Sequence, residues 1–123
     1  MKPFLIFAAV YGMLAVIFGA FGAHALKERL TADQLSSWEV GVRYQMFHAL
    51  ALFAVVFLME KGHPGVSVAG WLFIVGVLLF SGSIYLLSLG IGPRQILGPV
   101  TPLGGLALIA GWGVILFRVV ADS

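Results

Sequence analysis

Two histidines lie at the edges of apolar stretches, and histidine is the side chain whose charge turns over nearest neutral pH. His24 comes three residues before Lys27, at the end of the first apolar run, and His48 lies four residues after Tyr44, where the second run opens. Three chemistries suit such a pair. Each imidazole can donate and accept hydrogen bonds that hold membrane helices together. A titrating pair could serve a solute or proton site. Two imidazoles at one depth could also ligate a haem, whereas zinc would need a third ligand or a supporting carboxylate, and none lies nearby within the apolar runs. No metal site and no cofactor are expected on balance. His63, in a connector, is expected to be solvated.

Other polar residues gather around these two. Tyr44 and Gln45 precede His48 by four and three residues, a spacing that can place them on its helix face. Ser81, Ser83, Tyr85 and Ser88 crowd the last third of the third run, Thr101 opens the fourth, and Arg94 is the single charge in the connector before it. If consecutive runs pack antiparallel, His24, Tyr44, Gln45, His48, Ser81, Ser83, Tyr85, Thr101 and Arg94 fall toward one leaflet, with His24 and His48 at similar depth. Tyr11 and little else is left for the other leaflet. Intramembrane polar groups are costly and mark where a site would be. A catalytic constellation is missing: the serines have no base and acid at a recognisable spacing, and Asp33 and Glu39 belong to an amphipathic segment. Gly19 and Gly22 sit inside an apolar helix and cannot form a nucleotide loop. The chain is therefore expected not to be an enzyme.

The elements that must carry these residues follow from composition. Of 123 residues, 61% are hydrophobic and 10% charged, with a mean hydropathy of +1.08, where soluble domains carry roughly 25% charged residues. A net charge of +2 comes from seven basic residues spread along the chain, which form no patch able to follow a phosphate backbone, so nucleic acid is not an expected partner. Cysteine is absent, which removes disulfide and thiolate chemistry. The apolar N-terminal run is longer than a signal peptide's core and is expected to remain as a span.

Four apolar spans, about residues 4–26, 44–60, 66–89 and 100–120, are each long enough, or extendable enough, to cross about 30 Å of hydrocarbon as a helix. Open sheet is excluded at that depth because lipid cannot satisfy backbone polar groups. The predicted fold is an all-α integral membrane protein, one domain of four transmembrane helices in a compact bundle. Thr31 and Gln34 have capping-box spacing and predict a helix from Ala32. Residues 32–43 are amphipathic, with Leu35, Trp38 and Val42 on one face, and form either an interfacial segment or the first turns of one long helix to Met59. Gly62, His63, Pro64 and Gly65 predict a tight turn, and Thr101 with Pro102 predicts the start of the fourth helix. Small residues predict close helix contacts, with Gly12, Gly19 and Gly22 on the first helix and Gly104 and Gly111 on the fourth. Lys27, Arg29, Arg43 and Arg94 on one side against Lys2, Lys61 and Arg118 on the other favour first and third connectors in the cytoplasm and termini outside.

The segments Gly19–Leu26, Tyr44–Leu50 and Gly98–Gly105, together with Trp38 and the pair Gly111-Trp112, resemble the domain of unknown function 423 family of small YgdD- and YwdK-like membrane proteins. That resemblance spans essentially the whole chain and implies a four-span bundle in the bacterial inner membrane. It carries over no catalytic residues and no substrate. The expected function is a structural, assembly or accessory bundle, with small-solute, proton or lipid binding around His24 and His48 as the alternative. The bilayer is its expected partner, with a homo-oligomer or a larger membrane complex as further candidates.

Overall fold

Threonine at residue 31 sets the start of the longest helix. In a computed structural model of the chain, which describes residues 1–122, the Gln34 amide donates to Thr31 Oγ1 and the Thr31 amide to Gln34 Oε1. This reciprocal cap satisfies two N–H groups that a helix start leaves open. From it α2 (Ala32–Glu60) runs unbroken, so the amphipathic residues 32–43 are the opening turns of the spanning helix and not a separate interfacial segment. Before it comes α1 (Lys2–Ala23), and after it a single 3-10 turn leads into α3 (Ser67–Leu89) and then α4 (Arg94–Ala121). All four are long and apolar enough to cross a membrane.

Glycine ends two of these helices by the same geometry. At Gly62 and Gly90 φ is +102° and +71°, values open to glycine at little cost. The following amides, His63 and Ile91, reach back to the carbonyls of Leu58 and Leu86 at 3.0 and 2.9 Å, which closes a Schellman cap in both places. The fourth helix departs from the predicted start. It begins at Arg94, not at Thr101, because the Pro93 carbonyl already accepts from Ile96 and Leu97. Pro99 and Pro102 are therefore inside the helix, where a bundle can supply other partners for the carbonyls their missing N–H groups leave behind.

The helices pack in chain order, α1 on α2, α2 on α3 and α3 on α4, while α1 meets α3 over a short stretch only. The central pair α2 and α3 carries most of the core, with Leu52, Val55, Phe73 and Ala69 at or below 1% exposure. Predicted glycine contacts divide into two kinds. A Cβ on Gly104 would fall on the Phe80 backbone and one on Gly111 on the Phe73 ring, so α4 approaches α3 more closely than any side chain allows. On α1, Gly22 lies under the Trp38 indole, but a Cβ on Gly12 or Gly19 would meet α2 at 4.0 and 3.5 Å, which is ordinary contact. Further close approaches went unread in the sequence, among them Gly76 against Leu108, Gly70 against the Phe4 ring, Gly41 against the Tyr85 ring and Gly65 against Arg118.

Candidate functional site

Depth is the first thing the packing settles. Gly22 faces Trp38, Gly19 faces Val42 and Gly12 faces Ala49, so each step up α1 is a step down α2. On that ladder His24 is level with about residue 37, and His48 lies roughly 17 Å further along the axis at about 1.5 Å per residue. The two histidines are thus not at matched depth. His24 is exposed in the turn that follows α1, whereas His48 is buried, sixteen residues from the first residue of α2 and twelve from its last. Polarity consequently extends to the middle of the bundle and is not confined to one leaflet.

Interior polar side chains form two groups. Between α1, α2 and α3, Tyr11 Oη donates to the Ile74 carbonyl at 2.7 Å and Gln45 Nε2 to the Tyr11 carbonyl at 2.8 Å. Tyr85 Oη donates to Gln45 Oε1 at 2.6 Å, and Ser81 Oγ to the Gly41 carbonyl at 2.7 Å. The Trp38 indole donates to the Phe18 carbonyl at 2.8 Å and packs on the Tyr85 ring, 4.6 Å between centroids. Each bond crosses from one helix to another. A small cleft of about 160 Å³ beside Gln45, Ser81 and Tyr85 is walled otherwise by apolar groups.

Between α2, α3 and α4 the central residue is His48. Its Nδ1 lies 2.7 Å from the Tyr44 carbonyl, one turn back on α2, and its Nε2 lies 3.0 Å from Trp112 Nε1 on α4. An indole N–H can only donate, so Nε2 accepts, Nδ1 carries the hydrogen, and the ring is neutral with both nitrogens engaged. Phe73 meets the His48 and Trp112 rings at 5.1 and 5.2 Å. Tyr44 itself is half-exposed and contributes its carbonyl and a stacked ring. Toward the first and third connectors, Ser83 and Thr101 share a hydrogen bond between α3 and α4.

Beyond that bond opens a larger cavity of about 530 Å³ between the first turns of α2 and α4 and the last turns of α3. Asp33, Gln34, Ser37, Ser88, Arg94 and Thr101 supply its polar wall, and Val40, Ile84, Leu87 and Pro102 its apolar one. Of the residues expected to form a site, Arg94 and Thr101 are here; Gln45, Ser81 and Tyr85 belong to the α1 side; His24 is in neither group. Asp33, Ser37 and Ser88 were not singled out as cavity residues, since nothing in residue spacing tells how far α4 extends before Thr101. Trp112 was likewise missed as a partner, although an indole N–H inside a span needs an acceptor.

Among the described residues no three histidine, cysteine or carboxylate side chains come together as metal ligands. His63, expected in solvent, lies 3.1 Å from Asp122 Oδ2 and ties the second connector to the end of α4.

No solved structure matches this chain. UPF0382 membrane protein YwdK of Bacillus subtilis is 48% identical to it over 98% of both chains. A UPF0382 membrane protein of Staphylococcus saprophyticus is 44% identical over 91% of this chain and 92% of its own. One from Schizosaccharomyces pombe is 43% identical over 89% of this chain and 94% of its own. With a family model also matching residues 18–105, this small membrane protein of four apolar helices belongs to the DUF423 family of proteins of unknown function.

Proposed function

We propose that the protein is a non-enzymatic helical bundle with a structural, assembly or accessory role in the bacterial inner membrane. The observation that carries this role is the state of His48: both ring nitrogens are engaged, one by the backbone of its own helix and one by Trp112 of another. A proton relay would have to break the Trp112 bond to use the ring. Gln45, Tyr85 and Ser81 are spent in the same way on interhelical bonds, which act as glue in a medium without a hydrophobic driving force between helices. Such a role makes the bilayer the first partner. A second copy or a larger membrane complex would meet the outer faces of α1 and α4, where Ile6, Val16, Ile109 and Leu116 are exposed.

In this role both termini lie on the non-cytoplasmic side, which is read by whether a membrane-impermeant thiol reagent reaches a cysteine placed in the first connector. Transport is tested by sealing the purified protein into liposomes with a pH gradient followed by an internal dye. The gradient should decay no faster than in protein-free liposomes, and a faster decay that His48→Leu abolishes would contradict the structural role.

A further inference from the structure

The cavity between α2, α3 and α4 carries charges that the fold does not use. Arg94 and Asp33 both line it, and among the described residues the one ion pair is His63 with Asp122, so neither charge has an ion-pair partner among them. Ser88 lines the same cavity, is 3% exposed, and among the described residues its hydroxyl is the buried side-chain polar atom left without a hydrogen bond. A buried unpaired hydroxyl is costly, and a bound polar group would remove that cost. Arg94 is also the first residue of α4, where a cation opposes the helix dipole. An anion at that place is favoured by the guanidinium and by the opening amides together.

The chemistry of the wall selects one ligand class. One cation and one carboxylate in the same cavity match a ligand that is itself zwitterionic. In the same wall as the carboxylate, Pro102 has no N–H to return to the Gly98 carbonyl one turn before it, and Gly98 also lines the cavity. These are acceptors for a primary ammonium. No aromatic ring lines the cavity, so it lacks the cage that recognises a quaternary ammonium. The volume of about 530 Å³ is in the range of small-ligand sites, about 300–1,000 Å³. Leu89, Ile91 and Ile96, in and beside the connector between α3 and α4 that precedes Arg94, are exposed at the level where headgroups lie.

We propose that this cavity binds the head of one phospholipid bearing a phosphodiester and a primary ammonium, with the phosphate at Arg94, the ammonium at Asp33, and Ser88 bonding the glycerol or phosphate oxygens. The apolar wall of Val40, Ile84 and Leu87 receives the first carbons of a chain. Lipid binding here goes beyond the structural role and does not involve His48.

Native mass spectrometry of the detergent-purified protein with dioleoyl phosphatidylethanolamine, the matching phosphatidylglycerol and phosphatidylcholine, and free phosphoethanolamine tests it. One phosphatidylethanolamine should bind about tenfold more tightly than any of the other three, and Arg94→Gln and Asp33→Asn should each remove about tenfold of that affinity. Lys2→Gln, at the opposite end, should leave it unchanged. Should either charge variant fail to fold, Ser88→Val, which removes the hydroxyl and narrows the floor, should lower affinity in its place. Equal binding of the three lipids overturns the proposal. So does a preference for phosphatidylglycerol that needs Arg94 alone, or binding of phosphoethanolamine as tight as that of the lipid. Each of these failures leaves the liposome result for His48 untouched, so the two ideas fail separately.

Discussion

A glutamine buried among four apolar helices must find partners for both ends of its amide, and Gln45 does so by standing between Tyr11 and Tyr85. Its N–H₂ group answers a backbone carbonyl on α1 and its oxygen answers a hydroxyl on α3, so one residue links three helices. Gln45→Leu keeps the bulk but leaves the Tyr85 hydroxyl and the Tyr11 carbonyl without their partner. Reversible unfolding in bicelles should show a loss of about 1–2 kcal/mol, at the upper end for intramembrane hydrogen bonds. His24→Leu, in an exposed turn, should change stability by less than about 0.5 kcal/mol. The sequence pointed to His24 and His48 equally, because both flank apolar runs and no local pattern tells a capping turn from a buried one. What separates them is the register of α1 on α2, set by contacts such as Gly22 with Trp38 that lie sixteen residues apart in the chain.

At the scale of the helix, close approach is a matter of which glycines face a neighbouring backbone. Gly104 is pressed against Phe80 of α3, whereas a Cβ added to Gly12 would stand 4.0 Å from the Ala49 methyl. Gly104→Ala should therefore cost about 1–3 kcal/mol through overpacking, while Gly12→Ala should be neutral or stabilise by up to about 1 kcal/mol, because alanine is the better helix former. The same unfolding assay separates them, and equal effects would show that α4 is not held against α3 at Gly104. Small-residue spacing revealed both stripes in the sequence but not this difference, which depends on what stands opposite. The helices themselves were legible: the capping box at Thr31, the turn at Gly62 and the four apolar lengths are local features. The first turns of α4 were not. Thr101 and Pro102 have the chemistry of a helix start, and only the Pro93 carbonyl, accepting from Ile96 and Leu97, shows that the helix has already begun.

Across the whole molecule, α2 and α3 form the centre and α1 and α4 flank them, so α4 depends on α3 for packing and on few links to α2. Trp112 with His48 is such a link, and it lies at the depth where lipid offers no competing hydrogen bond. Four spans, their order and their family could be read from composition and motifs. The cavity beside Arg94 and the His48–Trp112 bond could not, since the first joins residues from three helices and the second from two that are distant in the chain, whose rotation no periodicity of so uniformly apolar a sequence reveals. That interior histidine acts as a tie between helices is the central claim, and a double-mutant cycle in bicelles measures it directly. His48→Leu and Trp112→Phe, alone and combined, should give a coupling energy of about 1 kcal/mol, with the fold retained in each variant. Additive effects with no coupling, or full stability in His48→Leu, would contradict the account.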